Sequence, residues 1–175
     1  MPKIEINIDE QVKNHFDQFV EKKGAAIDAS HIEEARQKIR EIRRGINDAY
    51  VVDQVNSLDM MLSMIEDKTW KVSAENRDRI TATIKYFCDD EDLIPDSIPG
   101  IGYIDDCIII DGAAEQAFEE MDEFKDFSKA RAVYAKGEEF TLEEWDKIKT
   151  QELGSRLRNR RLRRSRSKYG SDYSL

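Results

Sequence analysis

Apolar and polar residues alternate at a helical period along most of this chain. Val12, Phe16, Phe19 and Val20 recur every three or four positions, so they share one face of a helix that Gly24 would end. Ile32, Ala35, Ile39 and Ile42 mark the inner face of a second helix, opened by a Ser30–Glu33 capping box and closing near Gly45. Val51, Val55, Leu58, Leu62 and Ile65 give the strongest helical signal of all. Ser73 is placed to cap a fourth helix with Ile80, Ile84 and Phe87 inside. A fifth begins between Tyr103 and Asp106 and runs through Ile108, with a kink expected at Gly112. The pattern then resumes through Ala114, Phe118, Met121 and Phe124. Phe127, Ala130 and Val133 predict one more short helix, and Thr141 with Glu144 forms a capping box for a last one through Trp145 and Ile148. The exception is Lys3–Ile8, where Ile4, Ile6 and Ile8 alternate with Lys3, Glu5 and Asn7 at the period of a strand.

These elements predict an all-α fold, a bundle of about six or seven helices with room for one short N-terminal strand and a disordered basic C-terminal tail. The expected organisation is an N-terminal strand and helical pair over 1–46, a helical core over 47–135, a C-terminal helix over 136–155 and an arginine-rich flexible tail over 156–175. At 175 residues the chain is long enough for one well-formed core. No run approaches the roughly 20 apolar residues of a membrane helix. The first residues also lack the apolar stretch of a secretory signal. The expected location is cytoplasmic, with room for peripheral attachment to a membrane. A strand followed by two helices is also the layout of ribbon-helix-helix DNA binders, but Glu5 on the strand would face DNA unfavourably.

One segment breaks the helical pattern. Pro95 and Pro99, the two interior prolines, fall together with Gly100 and Gly102 between the fourth and fifth helices, so the chain must turn stiffly there. Asp92, Asp96, Asp105 and Asp106 stand at its ends and centre. Clustered carboxylates repel one another unless a cation, a proton or a basic side chain intervenes. Oxygen-only ligands suit Mg²⁺, Mn²⁺ or Ca²⁺ rather than zinc, so these four aspartates are the candidate metal ligands. The competing account is local: Asp96 holds the turn through backbone N–H groups, and Asp105 and Asp106 sit where a helix starts and its unpaired N–H groups attract carboxylates. Cys88 and Cys107 flank the turn without a CxxC pair or a nearby histidine, and read as packed thiols. No nucleophile elbow and no glycine-rich phosphate loop occurs, so no catalytic residue is assigned and no cofactor beyond a divalent cation is implied.

Charge divides the chain more sharply than its composition suggests. Between Arg156 and Leu175 lie seven Arg and one Lys against one Asp, a net +7, so the other 155 residues carry −16 of the total −9. Arg156, Arg158, Arg160, Arg161, Arg163, Arg164, Arg166 and Lys168 are therefore the candidate contacts for nucleic acid or for an anionic membrane surface. They could equally lie against the acidic body. Leu157 and Leu162 offer little apolar area for anchoring in a bilayer.

From about Met61 to Asp111 the chain resembles the YkvA-like family, a domain of unknown function (1232). The resemblance rests on Trp70-Lys-Val-Ser73, Tyr86-Phe87, Asp92-Leu-Ile-Pro-Asp96 and Pro99-Gly-Ile-Gly-Tyr-Ile-Asp-Asp106. Asp90 stands where the family commonly has a proline, which adds negative charge to the turn. The resemblance implies a helical domain, peripheral to membranes, and supplies no reaction. The expected role is a non-enzymatic binding or adaptor protein with a protein partner, a tail-bound polyanion, or a second copy of itself. The alternative is a metal-dependent enzyme or metal-regulated module built on the four aspartates.

Overall fold

The structure, a computed structural model, describes residues 8–98, 101–135 and 139–169, with side chains as far as residue 159. The described residues form seven helices and no strand. In order these are α1 (Ile8–Lys23), α2 (Ala29–Gly45), α3 (Ala49–Glu66), α4 (Ala74–Cys88), α5 (Ile104–Gln116), α6 (Phe118–Tyr134) and α7 (Leu142–Tyr169). The strand pattern of Lys3–Ile8 lies outside the described residues except for Ile8, which opens α1.

The ends of the helices follow side-chain chemistry. Gly24 takes φ +70°, the left-handed conformation that ends α1, and its N–H bonds the Val20 carbonyl at 2.8 Å. α2 is opened by Asp28, not Ser30: the Asp28 carboxylate accepts from the Ser30 and His31 N–H groups, and the Asp28 N–H meets His31 Nδ1 at 3.3 Å. The expected Ser30–Glu33 box is thus displaced by two residues, because the carboxylate of Asp28 is the stronger acceptor for the same orphan donors. Ser73 caps α4 as its position predicted, accepting from the Asn76 N–H. Thr141 and Glu144 also form the predicted reciprocal box.

The chain divides into two compact units, Met1–Phe124 and Lys125–Leu175. In the first, α5 is the most buried element. It packs on α1, α3 and α4, while α2 lies against α3 and α4. Leu58, Met61, Leu62 and Met64 of α3, Ile80 and Ile84 of α4 and Ile110 of α5 are almost wholly enclosed. Tyr86 anchors the α1 side, with Phe16 and Phe19 against its ring edge-to-face at 5.6 and 5.2 Å. Arg36 ties α2 to α3 through Asp59 and Glu66. Gly112 does not kink α5. The break comes at Ala117, a buried residue with no glycine or proline beside it, and α6 then runs unbroken to Tyr134.

In the second unit the Phe127 ring packs on Phe140 at 5.5 Å and on Trp145 at 6.1 Å. From Arg156 onward α7 continues as helical backbone to Tyr169. Straight-chain arginines are good helix formers, and the helix is already nucleated by the Thr141–Glu144 box.

Candidate functional site

The turn between α4 and α5 closes on itself through backbone bonds: the Ile98 N–H to the Pro95 carbonyl, Gly102 to Ile98 and Ile104 to Ile101, all between 3.0 and 3.1 Å. Gly102 is required by contact. A Cβ there would run into the carbonyl group of Asp96, 2.8 Å from its carbon and 2.9 Å from its Cα. Pro95 holds the first corner, whereas Pro99 and Gly100 lie outside the described residues.

This closure brings the four aspartates of the turn together with a residue the periodicity did not single out, Lys38. Its side chain, 18 % exposed, reaches from α2 and donates to the Phe87 carbonyl at 2.8 Å. Its ammonium lies 2.7 Å from Asp96 Oδ2 and 3.5 Å from Asp106 Oδ2. The Phe87 ring beneath it, 4.6 Å from Nζ, adds a cation–π contact. Burial alone would lower the lysine's affinity for its proton, but Asp106, Asp96 and Asp92 together outweigh it and hold the ammonium form above its ordinary range.

Three aspartates share that single cation. Asp106 is 1 % exposed in its side chain, and neither of its oxygens has a hydrogen-bond partner among the described residues. Its burial, with Asp92, Asp105 and Asp96 nearby, pushes its pKa well above the carboxylate range despite Lys38. Asp92 is raised to about 7, first by burial and then by the negative charge of Asp96, Asp105 and Asp89, against the pull of Lys38. Asp105 has a different office. Its Oδ2 accepts from the Tyr86 hydroxyl at 3.1 Å and from the Leu93 and Ile94 N–H groups at 3.0 and 3.2 Å. That pins the start of the turn to α5.

Asp105 and Asp106 do stand in the first turn of α5, as their position predicted, but the hydrogen bonds differ from those of a cap. α5 starts after Tyr103, which makes no side-chain cap. Asp105 takes its two backbone donors from Leu93 and Ile94 rather than from its own helix, and Asp96 binds Lys38. A carboxylate can reach a backbone N–H twelve positions away as easily as its own, once a turn folds the chain back.

The position a metal would take among Asp92, Asp96 and Asp106 faces the Lys38 ammonium. No group of three or more His, Cys, Asp or Glu among the described residues is placed to hold a metal ion. Cys88 donates to the His31 carbonyl at 3.3 Å, and Cys107 is buried. Burial is the main cause that pushes both thiols up to about 12, which keeps them protonated and unreactive.

At the other end of the chain, Arg156 and Arg158 stand on the last part of α7 whose side chains are described. Arg156 lies 3.7 Å from Glu152, and Arg158 donates to the Ser155 hydroxyl at 3.1 Å. Arg160, Arg161, Arg163, Arg164, Arg166 and Lys168 follow on helical backbone, their side chains outside the described residues.

Residues 79–110, from the middle of α4 through the turn into α5, match the model of a family described as a protein of unknown function (DUF1232). The matched span holds Asp92, Asp96, Asp105 and Asp106 and leaves out Lys38. No curated protein and no solved structure matches the chain.

Proposed function

We propose that this protein is a helical binding module rather than an enzyme, and that the basic half of α7 contacts a polyanion, in the first place the phosphate backbone of a nucleic acid. The observation that carries the reading is α7 itself. It is a 28-residue helix whose final part concentrates eight cations between Arg156 and Lys168. At 1.5 Å per residue these charges span roughly 18 Å of helix, the scale of several phosphates along one strand. Leu153 and Leu157, on the approach to the basic segment, are 63 % and 51 % exposed. Past Trp145, whose ring packs on Phe127, such a polar stretch of helix gains its stability from what it binds or from its own backbone.

Like charges three and four residues apart destabilise a helix by a few tenths of a kcal/mol per pair. Arg156, Arg160, Arg164 and Lys168 form such a series. An anionic partner relieves that repulsion and releases counterions. Nucleic acid is favoured over a bilayer because the segment has only Leu157 and Leu162 to bury, too little for an in-plane anchor. The non-enzymatic reading is supported by the Lys38 cluster, whose one cation is already engaged by Asp96 and Asp106.

Fluorescence anisotropy on a labelled duplex, and flotation with phosphatidylserine vesicles, would compare the full chain with one ending at Ser155. The full chain should bind duplex at low salt and the shortened chain should not. Equal binding by both forms would place the contact elsewhere. Vesicle binding without duplex binding would make the membrane the partner.

A further inference from the structure

Between the end of α6 and the middle of α7 lies an open groove of about 420 Å³, within the size range of small-molecule sites. Tyr134, the last residue of α6, forms one side of it and is 54 % exposed. The other side is α7. Ile148, half-buried, supplies apolar surface, and Gln151, Glu152, Arg156 and Asn159 stand beside it. These positions recur every three or four residues, so they share one face of the helix. The same spacing reaches Arg163 and Arg166 further along the helical backbone, so the groove leads toward the basic segment.

An exposed aromatic ring at the head of a track of cations is the combination that holds an unpaired strand: a base stacks on the ring while the cations follow the phosphates. Gln151 and Asn159 each carry an amide that both donates and accepts, which matches the chemistry of a base edge. Arg156 lies 3.7 Å from Glu152, but both side chains are mostly exposed, so the pair is weak and the guanidinium is open to a phosphate oxygen. A duplex cannot use the ring in this way. Its bases are stacked on one another, and turning one out toward Tyr134 costs the energy of unstacking and unpairing.

We propose that this groove is a base-stacking subsite for single-stranded nucleic acid: one unpaired base lies on the Tyr134 ring against Ile148, and the strand runs on with its phosphates along Arg156 and the cations that follow it. The inference rests on the reading of α7 as the polyanion-binding element and adds the form of nucleic acid that it takes. Stacking releases no counterions, so the ring and the cations differ in their response to salt. Glu152 opposes the strand, because its carboxylate repels a phosphate held by Arg156.

Fluorescence anisotropy of the full chain with a short labelled oligothymidylate, an abasic strand of the same length and a duplex tests the subsite. The thymidine strand should bind at least about fivefold more tightly than the abasic one, which offers the same phosphates and no base to stack. Tyr134→Ala should abolish that difference while leaving duplex affinity and the salt slope unchanged, and Tyr134→Phe, which keeps the ring, should preserve it. Equal affinity of the wild-type chain for the thymidine and abasic strands overturns the inference without a variant having to fold, and leaves the reading of α7 standing. A difference that survives Tyr134→Ala also overturns it. Absence of binding to all three probes overturns both.

Discussion

Removing the Lys38 ammonium would leave Asp92, Asp96 and Asp106 facing one another with no cation among them. Breaking a buried pair by deleting one partner costs about 3–5 kcal/mol, so Lys38→Met should lower stability by that order at pH 8. The loss should shrink at pH 4, where the acids take up protons, and urea denaturation at the two pH values would measure both. Asp92→Asn should act in the opposite sense. The folded form binds the Asp92 proton more tightly than the unfolded chain does, because its pKa is raised to about 7. Stability from this group is therefore greatest below the ordinary carboxylate pKa and declines as pH rises from about 4 to about 7. Asn mimics the protonated form, so the variant should melt higher than wild type at pH 8 and no differently at pH 4. Gly102→Ala forces the Asp96 backbone aside and should cost about 1–3 kcal/mol, the usual penalty of overpacking.

At the scale of elements, the 3.6-residue period was enough to locate the helices, because burial of one apolar face is what makes each of them stable. It was not enough to find the break at Ala117, where a buried alanine turns the chain with no glycine or proline to mark it. The candidate site was half legible. The turn and its aspartates stand in consecutive sequence, but their partner Lys38 lies 58 positions before Asp96. A signal for it existed: Lys38 directly precedes Ile39 and stands three residues after Ala35, beside the buried stripe of α2 rather than on its far side. A lysine so placed, in a chain with a knot of carboxylates, points to a buried ion pair. The Asp28 cap was hidden for a simpler reason, since the Ser30–Glu33 spacing offered an equally good box two residues on. For α7, Thr141→Ala removes half of a reciprocal cap and should destabilise the second unit by about 0.5–2 kcal/mol, read as lost helicity by circular dichroism.

Across the whole molecule, acid and base are sorted along the sequence. The first 155 residues carry −16, and the last twenty carry +7. On the proposed reading, that sorting would keep a polyanion away from the acidic part of the chain and confine attraction to one end of α7. Among the described residues no helix is long and apolar enough to cross a membrane. Binding driven by phosphate neutralisation carries a signature that protein–protein contact lacks, a linear fall of log K with log salt concentration.

The measurement that bears most directly on this account is the affinity of the full chain for a short duplex across a salt series from 50 to 300 mM, on the order of a decade. Engagement of five to eight phosphates by the segment from Arg156 to Lys168 predicts a slope of roughly −4 to −7. Replacing Arg160, Arg161, Arg163 and Arg164 with Gln should flatten the slope by about 3–4. A full-chain slope shallower than about −2, or one that these replacements leave unchanged, would contradict the assignment of α7 as the polyanion-binding element.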